Sequence, residues 1–374
     1  MIHKKNGRKY TRKQAVSFLW IMGDNLKNIL IPIDIKPEIK TYVDDAYLLS
    51  VITKENKNYT KWMTVFYIQL IYLLEPHGHC FSFYSGKYED CHFVDRKMFP
   101  RENLMNQNKF TSQLTKYLTQ GYCIIIELNE FYVPDRLSYH NKYRQHSSMV
   151  YGTYMKNGER FFNLIGYKAS KHYAPTTISE GELYKAFSSL REDTRADGWP
   201  IILLRRNNKE YKYNNRRIAF HLKEYWNSGL DEPTYNDGYV LFGLDAARKL
   251  IEILKDIKNG LYRKDYRLLS LYMEHKKIML KRIDHLTETG VKFDEGLINK
   301  YEEIYKKSEM CFQLFMRYTI TNQGELIDKI VEIIREINAE EEAIFFNIYK
   351  SVKNKKFNLN NWRGANESKK IQSE

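Results

Sequence analysis

From Leu244 to Val352 the chain repeats its apolar residues at helical spacing, and this run limits what can form more than any other feature. Ala247, Leu250, Ile251, Leu254 and Ile257 make one stripe. Leu268, Leu271, Tyr272, His275, Ile278, Met279 and Ile283 make a second, and Ile298, Tyr301, Tyr305, Phe312 and Phe315 a third. Ile327, Ile330, Ile334, Ile337, Ile344 and Ile348 close the series. Apolar residues three and four apart line one face of a helix. Breaks at Asn259-Gly260, Thr289-Gly290 and Asn322-Gln323-Gly324 predict four helices that fold back as antiparallel neighbours. No catalytic pattern stands out in this run. His275 and Cys311 read as core residues, and Glu340-Glu341-Glu342 reads as a solvated helix face.

The preceding half follows other periods. Asp44 or Asp45 can cap a helix through Val51, and a second helix is expected from Trp62 through Leu73, ending at Pro76. HGHCFSFYSG reads as a strand, and Phe110 to Thr119 as a helix stopped by Gly121. YCIIIELNEFYVP is apolar on both alternating faces, as a buried strand is. SSMVYGTYM and ERFFNLIGYK form a hairpin about Asn157-Gly158. Ser179 caps a short helix, and WPIILLRR is a further strand. Helices followed by an antiparallel sheet make the fold class α+β. The expected organisation is a basic arm over 1–35, an α+β domain over 36–240, a helical domain over 241–352 and a flexible tail over 353–374.

Charge narrows the partners. Sixty Lys and Arg against 46 Asp and Glu give +14, which favours an acidic partner. Basic residues gather in the first fourteen positions, from Arg205-Arg206 to Arg217, and from Lys353 to Lys356. EYKYNNRR mixes aromatic and basic residues as nucleic-acid stacking platforms do, but nothing else resembles a nucleic-acid module. The longest apolar run, Trp62 to Leu74, is too short for a bilayer and is interrupted by Gln69, so no membrane is expected. The basic amino terminus lacks the apolar segment of a signal peptide, and four scattered cysteines make no disulfide framework. A cytoplasmic chain with reduced thiols is the expectation.

His146 opens one strand of the hairpin and Asn163 lies on its partner, 163 − 146 = 17 residues on. An antiparallel pair sets two such residues side by side when register and loop length agree. An imidazole base needs a polar neighbour that fixes its tautomer, so that its other nitrogen takes a proton. Papain-like peptidases use Cys, His and Asn in that chain order, with the Cys at a helix amino terminus.

The stretch from Gly121 to Phe187 carries Glu130-Phe131-Tyr132-Val133-Pro134 after a strand, a His opening the strand that reads VYGTY, and a strand ending near Gly166-Tyr167. It resembles the papain-like domain of the butirosin-biosynthesis acyltransferase family and its relatives near nonribosomal-peptide clusters. LLSLYMEHKKIMLKRIDHL resembles the helix that follows in those relatives, so the likeness spans Lys40 to Leu286. The resemblance implies a papain-like fold and a transglutaminase-like, amide-forming acyltransferase of antibiotic or other natural-product biosynthesis. Its donor would be an acyl or peptidyl carrier protein bearing a phosphopantetheine thioester, and its acceptor a small amine or diamine. No cofactor or metal is implied. A non-catalytic scaffold that binds a carrier protein is the other reading.

The family's nucleophilic Cys starts the first helix, about a hundred residues before the His. Here Asp44, Asp45 and Ala46 stand at that place. The functional reading of Asp45 is that it orients the amine or His146, and Tyr151 is the further substrate-binding expectation. The alternative nucleophile is Cys80, flanked by His77 and His79, though the residues after it alternate like a strand. His77, His79, Cys80, Cys91 and His92 cluster as soft ligands without a standard zinc spacing, and Cys123 lies inside the buried strand. A thioester is already activated, so a base and an oxyanion hole suffice even without a thiol.

Overall fold

The computed structural model describes residues 28–56, 58–75, 78–84, 91–191, 200–212, 214–230 and 240–354. In chain order the elements are β1 (Ile29–Leu30), α1 (Val43–Ile52), α2 (Tyr59–Phe66), β2 (Leu70–Glu75), β3 (Gly78–Phe83), β4 (Val94–Phe99) and α3 (Gln107–Thr119). Then follow β5 (Cys123–Asn129), β6 (Gln145–Lys156), β7 (Glu159–Tyr167), β8 (Tyr173–Ser179), α4 (Glu180–Ser188) and β9 (Ile201–Arg206). The chain ends with α5 (Asn215–Trp226), β10 (Val240–Phe242), α6 (Gly243–Lys258), α7 (Arg267–Glu288), α8 (Glu295–Thr321) and α9 (Gly324–Asn354). The fold is α+β, with antiparallel pairing in the sheets and helices at the carboxy-terminal end. No helix among the described residues is long and apolar enough to cross a membrane.

The chain forms two compact units, each made of two separate stretches: Met1–Pro32 with Met98–Leu203, and Ile33–Lys97 with Leu204–Glu374. This differs from the expected division at residue 240. The basic arm through residue 27 and the tail from residue 355 lie outside the described residues.

In the first unit β5, β6, β7 and β8 pair antiparallel in sequence order, and β1 adds to β6 beyond the start of β5. The β6–β7 hairpin turns at Asn157 and Gly158, whose φ of 53° and 81° meet the two positive angles of a two-residue turn. Ile124, Ile126, Leu128, Val150, Leu164 and Ile178 from one sheet face pack with Phe110, Leu114, Leu183 and Phe187 of α3 and α4. Ser179 caps α4 as expected: its Oγ accepts from the Glu182 amide at 3.3 Å and donates to the Glu182 carboxylate at 3.2 Å. The far end of α3 is tied to this cap, because Thr111 Oγ1 donates to Glu180 at 2.7 Å.

The second unit contains α1 and α2 together with the carboxy-terminal helices, and its small sheet runs β10-β2-β3. Residues 45–52 of α1 are buried all round, as suits a helix inside a core. The helix expected through Leu73 stops at Phe66, and Leu70–Glu75 is a strand instead. The carbonyls freed at that helix end find partners on α7: Arg282 donates to Thr64 O and Tyr67 O, and His275 Nε2 donates to Ile68 O at 2.9 Å. These bonds also explain why α2 belongs with the helical part. His275 and Cys311 are fully buried, and burial pushes the Cys311 thiol up to about 12. The expectation for Glu341 is overturned. It is 0% exposed and meets Lys276 Nζ at 2.6 Å, because position 341 falls on the same stripe of α9 as Ile337, Ile344 and Ile348.

Candidate functional site

The site grows from the register of β5 on β6. Leu128 stands opposite His146 and Asn129 opposite Gln145, so the loop from 130 to 144 leaves and re-enters the sheet at one place. Asn129 holds both ends of that loop. Its Oδ1 accepts from the Phe131 amide at 3.1 Å and the Arg144 amide at 3.4 Å, and its Nδ2 donates to Ser189 Oγ at 3.1 Å. The Glu130 amide in turn donates to Arg144 O at 2.7 Å. The middle of the loop is fixed to the β7–β8 side. Asp135 Oδ2 accepts from Thr176 Oγ1 at 2.6 Å and from Lys168 at 2.9 Å, and both bonds hold the Asp135 carboxyl below its usual range.

This strapping delivers Glu130 to the start of β6. Glu130 Oε1 lies 4.0 Å from His146 Nδ1 and 4.0 Å from Arg136 Nε, while Oε2 lies 3.5 Å from Arg144 Nε. His146 Nδ1 is also 3.1 Å from Ser147 O. A carbonyl oxygen only accepts, so that contact requires the proton on Nδ1 and leaves the lone pair on Nε2. Burial holds His146 below the ordinary imidazole pKa; Glu130 and Ser147 O oppose this, and the positive Arg144 and Arg136 add to it. The imidazole is therefore a neutral base at pH 7, with 30% of its side chain open to solvent.

Arg136 is the buried member, with a side chain 1% exposed. Its Nη2 donates to Ser148 Oγ at 3.3 Å and its Nη1 donates to Tyr167 O. The guanidinium lies flat on Gly166: a Cβ there would come within 2.6 Å of Nη2 and 3.1 Å of Nη1. The features that carried the family resemblance, Glu130, His146 and Gly166-Tyr167, thus converge around one arginine. Sequence reading quoted Glu130 without giving it a role and missed Arg136 and Arg144. The strand register was the signal for Glu130, two residues beyond the position facing His146.

The other expected residues fall elsewhere. Asn163 faces Gly152 on β6 and Thr177 on β8, and its Nδ2 would lie 2.9 Å from a Cβ at Gly152. Six strand positions separate Gly152 from His146, roughly 20 Å at the rise of a β-strand. The hairpin closes after Lys156, later than a side-by-side pairing of His146 with Asn163 requires. Tyr151 sits where the β6–β7 register shifts, with its carbonyl accepting from the Ile31 amide at 2.9 Å. Its side chain is 9% exposed, so little of it faces solvent.

Cys80 belongs to the second unit. It is half-buried on β3 opposite Leu73, beside Tyr42, and so lies on a strand and not at a helix amino terminus. Asp45 is 1% exposed in the interior of that unit, near Tyr67, and not on a substrate-facing surface. Neither Asp44 nor Asp45 caps α1; both lie in its first turn, where negative charge suits the helix dipole. His77 lies outside the described residues, Cys91 is buried, and Cys123 is buried on β5 as expected. Of the basic stretch from Arg205 to Arg217, Arg205 pairs with Asp95 at 2.9 Å and Arg217 lies over the Phe66 ring at 4.3 Å. Tyr211 packs on Phe93 at 5.7 Å, so these groups are engaged by the chain itself.

No protein-family model matches the chain, and no curated protein matches it.

Proposed function

We propose that this protein is an amide-forming acyltransferase, working in the cytoplasm, that moves an acyl or peptidyl chain from a carrier-protein thioester to an amine. One observation carries the reading: His146 is a neutral imidazole whose Nδ1 proton faces Ser147 O and Glu130, with Nε2 left to accept a proton. The amine nitrogen attacks the thioester carbonyl carbon and its proton passes to His146 Nε2. The tetrahedral intermediate then collapses, the C–S bond breaks, and the imidazolium returns the proton to the departing thiolate. Glu130 takes the orienting role expected of Asn163, steadying the imidazolium while it exists. A thioester needs no prior activation, so this step uses no enzyme thiol and does not depend on Cys80.

The test is direct. Protein incubated with acyl-loaded carrier and a diamine should give the amide by mass, and His146→Ala should abolish it. Turnover unchanged in that variant would end the mechanism. The scaffold reading is favoured by Asp44 and Asp45 at the start of α1, where the family resemblance implies a thiol. It predicts that the unaltered protein retains the loaded carrier and forms no amide.

A further inference from the structure

The arrangement around Glu130 contains a residue whose position the proposed reaction does not itself explain. Arg136 is nearly sealed from solvent, and it approaches the same carboxylate oxygen that faces His146. A buried guanidinium opposite a buried carboxylate contributes little net stability on average, because desolvation offsets the attraction. Its placement here is nevertheless fixed on three sides. Tyr167 O on β7 takes Nη1, and Ser148 on β6 takes Nη2 two residues after His146. Gly166 lies beneath the plane of the group, with no room for a side chain. We infer that Arg136, seated on Gly166, is a positioning residue that sets the proton affinity of His146 through the oxygen of Glu130 they share. The inference rests on the reading of His146 as the base.

The charges that face His146 come from the turn after β5 (Glu130), the loop beyond it (Arg136) and the residue before β6 (Arg144). One carboxylate thus stands against two guanidiniums. With Arg136 in place, Oε1 is divided between guanidinium and imidazole, and the excess positive charge disfavours the imidazolium. With Arg136 gone, the oxygen belongs to His146 alone and the imidazolium is favoured. A base that stays neutral near pH 7, and so is free to take a proton, is favoured by the first arrangement.

The measurement is the NMR titration of His146 in the full chain, with ring-nitrogen shifts reporting the tautomer and no substrate present. Arg136→Gln should raise the His146 midpoint by about one pH unit, the size that a lone charge a few ångströms away produces. Arg136→Lys should return it most of the way. Gly166→Ala carries the test should Arg136→Gln not fold, since its Cβ meets only the movable end of a side chain. It should displace the guanidinium and shift the midpoint in the same direction. A His146 midpoint and tautomer unchanged in both Arg136→Gln and Gly166→Ala would overturn the inference, as would an unchanged midpoint in Gly166→Ala alone where Arg136→Gln does not fold. Because the titration involves no acyl donor, a protein that shows these shifts but makes no amide would refute the acyltransferase and leave the positioning role standing.

Discussion

Each unit holds a cluster of a carboxylate, a cation and a histidine, and the two clusters differ in what they leave open. In the second unit Lys276 and Glu341 meet at 2.6 Å with both side chains 0% exposed. Tyr301 and Tyr225 donate to Glu341, and Lys276 Nζ lies 4.3 Å from the Tyr272 ring centroid. His275 is engaged at both ring nitrogens: Nε2 donates to Ile68 O, and Nδ1 faces Lys276 Nζ at 3.4 Å. In the first unit His146 Nδ1 meets Ser147 O, 30% of the His146 side chain is open to solvent, and Arg144 keeps 47% of its side chain in solvent. A sealed cluster specifies packing. A cluster whose histidine is partly open to solvent can exchange a proton with something that arrives.

Four changes break or sharpen this contrast. The largest effect is expected in the first unit: His146→Gln should lower amide formation by about 10²–10⁴-fold, the usual size of a general base, with thermal melting nearly unchanged. The second unit should answer in stability. Glu341→Ala strands Lys276 in the interior and should cost about 3–5 kcal/mol by urea unfolding, whereas Lys276→Met with Glu341→Leu should recover most of it. A third change acts through pH on the second unit. Burial holds His275 neutral well below the usual imidazole range, so the unfolded chain binds the extra proton as pH falls through about 6.5 and stability drops.

Glu274 acts in the opposite sense. Burial raises its carboxyl to about 7, so its contribution is present at low pH and is lost as pH rises from 4.5 to about 7. Glu274→Gln should therefore make unfolding midpoints climb more steeply between pH 5 and 6.5 than in the unaltered protein. The smallest effects are expected at Cys80→Ser and Asn163→Ala. Each should leave the transfer rate within about twofold, and a Cys80→Ser loss of a hundredfold would restore a thiol mechanism.

What the sequence made readable were features governed by neighbours along the chain. The Asn157-Gly158 turn, the Ser179 cap and the breaks at Asn259-Gly260 and Thr289-Gly290 depend on local angles and short bonds. The end of α2 at Phe66 was not readable, because its carbonyl partners Arg282 and His275 come from about two hundred residues away. Glu341 was misread for a related reason: three glutamates in a row look solvated until one knows which stripe of α9 faces Lys276. At the site, His146 could be named from its place at a strand start. Its partner could not, since choosing Glu130 over Asn163 required the hairpin register and the loop strapped by Asn129 and Asp135.

The interleaved division of the chain bears on how the protein is made. Ile33–Lys97 must wait for Leu204 onward to complete its unit, and 106 residues intervene. At ordinary elongation rates of about 5–20 residues per second that delay is roughly 5–20 s. Throughout it, α1, whose residues 45–52 are all buried in the finished structure, has emerged without the rest of its unit. The other unit has all its segments by residue 203. Synthesis therefore favours maturation of the His146 unit first, and protease should cut chains halted at residue 203 preferentially within 33–97. The second unit is thus completed only by sequence made after the whole of the first.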